Sequence, residues 1–536
     1  MTEQSSSNQR GSFILILIAM IMGTLIGLMF GNNPSFNKRS EHKLHDKLDE
    51  VLHIIETEYV DPVDSDSLYE RITATILSEL DPHSAYMSNK AVEQTAEHMR
   101  GSFEGVGIVL HREGDTSYVG QLIAGGPSER TGILPGDMIL TVNGDTVSGV
   151  NMPADSVVAR LRGQRYSEAK VEVIRQQNTS HPTHHTFTIR RNTVPRNSVS
   201  YFGMLSQHTG YIALSSFTNT SNDEFHQALL SLKHKGATHM VVDLRGNGGG
   251  SLTSAIDIAN EFLPAGRTIV YTEGCHDRRH TTTARRGGLF TEGEVTVMVD
   301  ESSASASEVV AGALQDNDRA TIVGRRTFGK GLVQREFVLA DQSAIMLTVA
   351  RYYTPSGRCI QRPYTNGADE YYRQYLSQVL DEVYSGDSIN HIQDSTPYHT
   401  IGGRTVYGGG GIIPDRTLAY HRDENIGYYN RLRAKSIIAN TAFDYVKTHA
   451  ETLLKNYPDA QSFTTRFQVP QTMIDKMVEC GERMGVARDD KGLSEHKHLF
   501  EAMLKAHIGS SLYGNDGFYL TSLQFDDDIK QLNITK

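Results

Sequence analysis

Two short stretches of this chain carry side chains that together could perform nucleophilic chemistry. A serine-rich turn at residues 302–307 follows the apolar run 295–299 and opens a predicted helix, and Lys330 lies further along between two glycines. A serine hydroxyl becomes a good nucleophile when a nearby base removes its proton, and a lysine serves as that base only when it is neutral. The combination therefore predicts the minimal parts of a Ser-Lys site for acyl transfer.

The surroundings of Lys330 favour a neutral amine. An exposed lysine has a pKa of about 10.4, and burial can lower that pKa by as much as about 3–5 units because it disfavours the charged form. Phe328, Leu332 and Val333 are apolar neighbours, and no acid lies within several positions. In an extended chain Lys330, Leu332 and Gln334 face the same side, so the Gln334 amide could hold the lysine amine by a hydrogen bond.

The nucleophile is ambiguous on local sequence, because Ser302, Ser303, Ser305 and Ser307 all lie on the same turn. Ser305 and Glu308 also match the S-x-x-E capping box, which would give this serine a structural role. A helix N-terminus nevertheless presents free N–H groups and a positive dipole end, which suit a developing oxyanion. Local physics leaves these serines open.

A glycine loop and a near-match to a phosphate-binding motif accompany these residues. DLRGNGGG at 243–250 follows an apolar strand and precedes a predicted helix, so either Gly249 or Gly250 could donate an N–H to an oxyanion, or the loop is an ordinary turn. Residues 324–330 fit G-x-x-x-x-G-K, but Gly331 stands where Ser or Thr would hold Mg²⁺, and a strand is predicted to follow. We therefore predict no nucleotide site.

The elements that must position these loops predict an α/β core. Apolar runs at 211–215, 240–244, 268–271 and 295–299 alternate with helical patterns at 222–235 and 252–263. Such alternation is typical of a largely buried sheet covered by helices. Residues 40–100 and 421–536 are predicted to be mostly helical, and the first of these regions has apolar residues at spacings of three and four.

Residues 101–191 resemble a PDZ domain. The similarity rests on GPSERTGILPGD at 126–137 and on ILTVNG at 139–144, which ends in an Asn-Gly tight-turn signal. In such domains a glycine loop before a strand offers N–H groups to the terminal carboxylate of a peptide that pairs with the sheet edge. The corresponding loop here consists of Phe103, Glu104, Gly105, Val106 and Gly107. A β-rich spacer that binds nothing is the alternative.

Taken in order, these motifs resemble the C-terminal processing peptidases, or tail-specific proteases, of the Ser-Lys type. The resemblance covers about residues 42–420. It is carried by LDPHS at 80–84, the PDZ-like stretch, DLRGNGGG at 243–250, SASASE at 303–308, TFGKG at 327–331 with Gln334, and YTPSGR at 353–358. One departure is Gly248, because many members have proline there.

The resemblance implies a serine-type endopeptidase that needs no cofactor or metal. Ser305 would be the nucleophile, Lys330 the general base and Gln334 the residue that orients the lysine. The oxyanion would be stabilised by the backbone N–H of Ala306 together with one from the glycine loop, either Gly249 or Gly250.

The implied fold is α/β, with a crotonase/Clp-like protease core at 200–420 and a β-rich PDZ domain at 101–191. Helical regions at 40–100 and 421–536 flank them. Family resemblance further implies a homodimer formed through the terminal helices. It also implies that Phe103, Gly105, Val106 and Gly107 bind the C-terminal tails of protein or peptide substrates.

Residues 13–30, FILILIAMIMGTLIGLMF, are uncharged and reach the lower length limit of a membrane-spanning helix. Because no clear small-x-small cleavage site follows, we predict an anchor at 12–31 behind a cytoplasmic tail at 1–11, with a cleaved signal peptide as the alternative. The flanking charges alone weakly favour a body that stays inside. Export within the family instead implies a single-pass inner-membrane protein with its catalytic body in the periplasm or outside.

Composition narrows the partners. The net charge of −11 is spread without a basic cluster, which argues against nucleic acid. Two other classes of function stay open on sequence: a catalytically silent peptide-binding scaffold, and a crotonase-like enzyme with a different acyl-transfer task.

Overall fold

The computed structural model describes residues 43–176, 181–285, 287–385, 394–418 and 426–534. The chain divides into two compact units, one ending at Ile76 and one beginning at Leu77. The anchor predicted at 12–31 lies outside the described residues. Within the described ranges, no helix has both the length and the apolarity that crossing a membrane requires.

The described part of the first unit, residues 43–76, is mostly helical, as predicted. It contains α1 (Lys43–Glu58) and nearly all of α2 (Ser65–Ser78). On α1 the side chain of Leu52 is buried, whereas Leu48, Val51 and Ile54 are 43%, 44% and 51% exposed. These three apolar side chains of α1 are therefore partly exposed in the part of the chain that the structure describes.

The second unit begins with a short strand, a helix and a PDZ-like sheet. Its first elements are β1 (Ala85–Met87), α3 (Asn89–Arg100), β2 (Ser102–Gly105), β3 (Ile108–Glu113), β4 (Thr116–Leu122), β5 (Met138–Val142), β6 (Asp145–Thr146), α4 (Ala154–Leu161), β7 (Glu168–Arg175), β8 (Thr183–Arg190) and β9 (Asn192–Pro195). Strands β3, β4, β5, β7 and β8 are neighbours in that order, β6 pairs with β5, and β2 pairs with β9. The predicted Asn143-Gly144 turn joins β5 to β6, with φ of 55° and 90° as a two-residue hairpin loop requires.

The α/β core follows and confirms the predicted alternation. Its elements are β10 (Val199–Met204), β11 (Thr209–Leu214), α5 (Ser221–His234), β12 (His239–Asp243), α6 (Leu252–Asn260), β13 (Thr268–Glu273), β14 (His280–Thr283), β15 (Glu294–Val299), α7 (Ala306–Asp316), β16 (Thr321–Gly324), β17 (Leu332–Val338), β18 (Ala344–Tyr353), α8 (Ala368–Ser385), β19 (Asp394–His399), β20 (Thr405–Gly408) and β21 (Arg416–Thr417). One sheet has the order β10-β11-β12-β15-β16-β21, and a second has the order β1-β18-β13-β14 with β17 beside β18.

The order of the first sheet brings the candidate loops together. Strands β12, β15 and β16 are parallel neighbours, and β12 and β15 are buried along nearly their whole length, as near-continuous apolar runs predict. The carboxyl ends of parallel strands lie at the same edge of a sheet, where α/β proteins place their ligand sites. The glycine loop follows β12, the serine turn follows β15, and the loop with Lys330 follows β16.

The C-terminal region is helical, as predicted. It consists of α9 (Gly427–Ala434), α10 (Ile437–Asn456), α11 (Ala460–Arg466), α12 (Gln471–Arg483), α13 (Asp490–Glu495), α14 (Lys497–Ser522), which is kinked at Gly514, and α15 (Asp527–Gln531). Helix α10 packs against the PDZ-like sheet: the centroid of the Phe443 ring lies 3.9 Å from that of His111, with the rings tilted by 37°, and Lys447 Nζ lies 2.7 Å from a carboxylate oxygen of Glu113. The helical region and the PDZ-like domain therefore share one apolar core.

Candidate active site

Ser305 stands at the junction of the serine turn and α7, in a backbone conformation that few residues adopt. Its φ of 55° and ψ of −111° lie in a strained region for a side chain with a Cβ. The buried Tyr352 hydroxyl donates to the Ser305 carbonyl oxygen (3.1 Å), which helps to hold this conformation. A strained turn from a strand into a helix is a common way to present a nucleophile.

The other serines of the turn have different surroundings. Ser303 and Ser307 are fully buried, and their hydroxyls donate to the carbonyl oxygens of Leu244 and Asn247 (both 2.8 Å). These two serines therefore tie the turn to the glycine loop. Ser302 is exposed, so the arrangement favours Ser305 as the serine that faces the site.

The glycine loop lies directly against Ser305. A Cβ on Gly249 would come within 2.9 Å of Ser305 Cβ and 3.0 Å of Ala306 N, so only glycine fits there. The Gly249 N–H donates to Asn247 Oδ1 (2.9 Å) and is engaged in this conformation. Of the two alternatives predicted for this loop, Gly250 is therefore the better candidate for an oxyanion donor beside Ala306.

Lys330 meets its predicted partner. Its Nζ donates to Gln334 Oε1 (2.8 Å), and Gln334 Nε2 in turn donates to the carbonyl oxygen of His83. The His83 ring lies 3.1 Å from the Tyr371 hydroxyl, and the Asp81 carboxylate accepts the His83 backbone N–H (2.8 Å). The LDPHS motif is thus the support on which the glutamine, and through it the lysine amine, is oriented.

Glu308 connects the two halves of the site. Its Oε2 accepts the backbone N–H groups of Ser305 (2.8 Å) and Lys330 (2.9 Å), and its Oε1 accepts the Gly329 N–H (2.8 Å) and the Thr327 hydroxyl (2.6 Å). The side chain is fully buried. The glutamate of the predicted capping box therefore fixes the serine turn and the lysine loop to the same carboxylate.

The electrostatics of these groups suit a neutral base. Burial lowers the pKa of Lys330, although the charges of Asp81 and Glu308 offset part of this effect. Burial, reinforced by the charge of Lys330, lowers the pKa of His83 to about 4, so this ring is uncharged at neutral pH. Burial raises the pKa of Glu308, and the hydrogen bonds that it accepts act in the opposite direction.

A second candidate site lies on the PDZ-like domain. Phe103, Gly105, Val106 and Gly107, all predicted to bind peptide, line one pocket of about 370 Å³ together with other residues that include Arg162. Gly107 has a φ of 79°, and a Cβ there would approach the neighbouring Gly126 backbone to 3.1 Å. The Arg162 guanidinium lies 4.9 Å above the Phe103 ring and donates to the Glu97 carboxylate (2.6 Å), so its charge is already paired. Because most of its lining residues are apolar, this pocket can accept an apolar side chain.

Sequence reasoning missed several contributors to the site. From sequence, His83 belongs to the LDPHS motif and is predicted to cap a turn and not to act as a base, and Glu308 is predicted to cap a helix. The sequence indicates no role for Tyr371 or Thr327. Glu308 is followed by the apolar run VVAGAL, and an acid beside such a run, three residues after a candidate nucleophile, is a sequence signal that could have identified it as more than a cap.

Comparison with known proteins places these loops in a family. The model of peptidase family S41 matches residues 208–367, the model of the PDZ domain matches residues 94–174, and a family of unknown function, DUF8443, matches residues 428–514. The S41 match contains the glycine loop, the serine turn and Lys330.

Individual proteins agree with the family matches. The carboxy-terminal processing protease CtpA of Bacillus subtilis (strain 168) is 31% identical over 354 residues, which are 65% of this chain and 74% of that protein. A probable CtpA-like serine protease of Staphylococcus aureus (strain COL) is 32% identical over 360 residues, which are 66% of this chain and 71% of that protein. The solved structure of the photosystem II D1 C-terminal processing protease is 29% identical. The match covers 57% of this chain and 82% of that chain, with a TM-score of 0.32. The family models and the two CtpA relatives show that the chain belongs to peptidase family S41 and is a serine protease of the carboxy-terminal processing type, equipped with a PDZ domain.

Proposed function

We propose that this protease binds the C-terminal tail of a protein substrate in the PDZ pocket and cleaves it with Ser305 as nucleophile and Lys330 as general base. The observation that carries the proposal is the shared carboxylate of Glu308, whose Oε2 accepts the backbone N–H groups of both residues. The partial burial of the lysine and its bond to Gln334 support the role of base.

The proposed mechanism follows from these positions. Ser305 Oγ attacks the scissile carbonyl carbon while the neutral Lys330 amine takes the hydroxyl proton. The N–H of Ala306, at the start of α7, and that of Gly250 stabilise the oxyanion of the tetrahedral intermediate. The intermediate collapses when the C–N bond breaks, and the lysine ammonium gives its proton to the leaving amine. Water then attacks the acyl-enzyme while Lys330 accepts a proton of that water. The bond between the acyl carbon and Ser305 Oγ breaks, and the lysine ammonium returns its proton to Oγ.

Tail binding predicts a requirement for the free carboxylate of the substrate. Converting that carboxylate to an amide is expected to raise KM about 10- to 100-fold, since a hydrogen bond to a charged group contributes about 1.5–3 kcal/mol. Steady-state cleavage of a matched pair of substrates, with a free and an amidated apolar tail, measures the effect.

A variant pair tests whether the PDZ pocket causes this requirement. Val158 lines the pocket, so Val158→Glu is expected to weaken tail binding, whereas Ala159→Glu on the exposed side of the same helix is not. If the wild type has equal KM values for the free and the amidated tail, the PDZ pocket does not bind the substrate carboxylate.

We propose further that residues 12–31 anchor the chain in the inner membrane, with the catalytic body in the periplasm or outside. The support is the uncharged apolar run from Phe13 to Phe30. The full chain is expected to stay in the membrane fraction after carbonate extraction. The catalytic body is expected to be digested by a protease added to cells whose outer barrier has been opened. A carbonate-soluble chain would contradict the anchor, and protection of the body would contradict the topology.

The third proposal is a homodimer that forms through the N-terminal helices. The exposed apolar side chains of Leu48 and Val51 on α1 support it, because a second copy would cover them. Sedimentation equilibrium is expected to give twice the mass of one chain for the wild type and for Thr57→Glu on the polar face of α1, but a single-chain mass for Leu48→Glu/Val51→Glu. A wild-type monomer at micromolar concentration would contradict the proposal.

A further inference from the structure

Carboxylates from the far end of the chain meet an arginine of the glycine loop. Arg245 lies two residues after Asp243, at the end of β12, and its guanidinium donates to Asp526 Oδ2 (2.8 Å) and to Asp528 Oδ2 (2.9 Å). Both aspartates belong to the start of α15, where Asp526 also caps the helix by accepting the Ile529 N–H.

A second arginine connects the same carboxylate to the lysine loop. Arg325 lies between β16 and Lys330, and its Nη1 donates to Asp528 Oδ2 (3.1 Å) while its Nε donates to Glu301, the residue before the serine turn (3.2 Å). Asp528 therefore bridges the guanidinium of the glycine loop and that of the lysine loop. Glu301 adds the third loop to this network.

The network is largely shielded from water, so the interactions between its charges are stronger than they would be at the surface. The side chains of Arg245, Arg325 and Asp528 are only 17%, 11% and 14% exposed. Asp528 is the carboxylate that both guanidinium groups share, so its loss breaks the connection between the two loops, although each arginine keeps another carboxylate partner. Arg245 is also held from the sheet side by Asp243, which accepts the Tyr211 hydroxyl (2.7 Å) as well.

Two opposed anchors fix the path of the glycine loop. Asp243 holds the Arg245 guanidinium from within the core, and Asp526 and Asp528 hold it from the C-terminal helical region. The loop carries Gly249, which contacts Ser305, and Gly250, the candidate oxyanion donor. A shift of about 1 Å in such groups can reduce a rate by about 10²-fold.

We propose that Asp526 and Asp528 are positioning residues for catalysis, which hold the glycine loop and the lysine loop in register through Arg245 and Arg325. The C-terminal helical region thereby contributes to the active site, in addition to packing against the PDZ domain. This inference rests on the proposed roles of Ser305 and Lys330.

Charge-neutralising variants of the full chain test the proposal. Asp528→Asn is expected to lower kcat for tail cleavage about tenfold or more, with KM and PDZ peptide affinity within about twofold of the wild type. Asp527→Asn is the matched control, because Asp527 lies between the two residues but is 46% exposed and pairs with Lys530. Asp528→Glu, which restores the charge, is expected to recover part of the lost kcat.

Asp526→Asn provides a second variant if Asp528→Asn does not fold, since asparagine retains the helix cap. Thermal melting of each variant separates the positioning role from a loss of folded protein. The inference is overturned if Asp528→Asn, or Asp526→Asn in its place, has the kcat of Asp527→Asn, or if the loss of kcat equals the loss of folded protein. Ser305→Ala is run in parallel: its activity would overturn the proposed function itself, whereas an inactive Ser305→Ala beside unaffected aspartate variants would overturn only this inference.

Discussion

Replacing Lys330 with methionine is expected to lower kcat for tail cleavage by at least about 10³-fold, because the change removes the general base and keeps a side chain of similar length. PDZ peptide affinity should be unchanged, since the peptide pocket is formed by residues 103–110 and their neighbours and does not include Lys330. Cleavage of a reporter with an apolar C-terminal tail and fluorescence anisotropy of a labelled peptide measure the two quantities. Cleavage by Lys330→Met at more than a tenth of the wild-type rate would rule out this lysine as the base.

The pH dependence of the reaction is part of the same prediction. A base must be unprotonated to act, so kcat/KM should rise with pH and level off above the pKa of Lys330, which burial places below the ordinary value. Gln334→Glu would put a carboxylate beside Nζ, favour the ammonium form and move the rise to higher pH. If kcat/KM of Gln334→Glu rises at the same pH as that of the wild type, or at a lower pH, Lys330 is not the group whose titration causes the rise.

Glu308→Ala is expected to have the second-largest effect, on stability as well as activity. The substitution would leave the N–H groups of Ser305, Gly329 and Lys330 and the Thr327 hydroxyl without their acceptor. A buried polar group without a partner costs about 1–3 kcal/mol. We therefore expect the free energy of unfolding to fall by about 3–5 kcal/mol and kcat to fall about 10²-fold at a temperature where the variant is still folded.

Two further variants define the role of the Glu308 carboxylate. Glu308→Gln keeps the shape of the side chain but replaces one acceptor oxygen with an NH₂ donor that faces N–H groups. We therefore expect its kcat to stay below that of the wild type, as in Glu308→Ala. Glu336→Ala, an exposed glutamate on β17, is the control for general loss of a carboxylate. Urea unfolding and steady-state kinetics measure both effects. Wild-type stability in Glu308→Ala, or wild-type kcat in Glu308→Gln, would refute the role of Glu308 in connecting the two loops.

The fold and part of the site were predictable from sequence because they depend on local patterns. Buried strands produce apolar runs, which is why β11, β12 and β15 were predictable, whereas β16 and the placement of β13 in the second sheet were not. The period of two in an extended chain was enough to predict the bond between Lys330 and Gln334. The Asn143-Gly144 hairpin followed from the requirement for positive φ.

The remaining features depend on contacts between distant parts of the chain. The choice among the serines of the turn needed the burial of Ser303 and Ser307 against the glycine loop. The engagement of the Gly249 N–H depends on the rotamer of Asn247. Asp528 and Arg245 are 283 positions apart in sequence, and a local pattern of residues does not predict a contact over such a separation.

Cleavage of a protein with a free apolar C-terminal tail by the wild type and by Ser305→Ala tests the central claim most directly. We predict that the wild type removes the tail, whereas Ser305→Ala binds the labelled tail peptide with the same affinity and removes none of the tail. Tail removal by Ser305→Ala at the wild-type rate, or its absence with both proteins, would contradict the account.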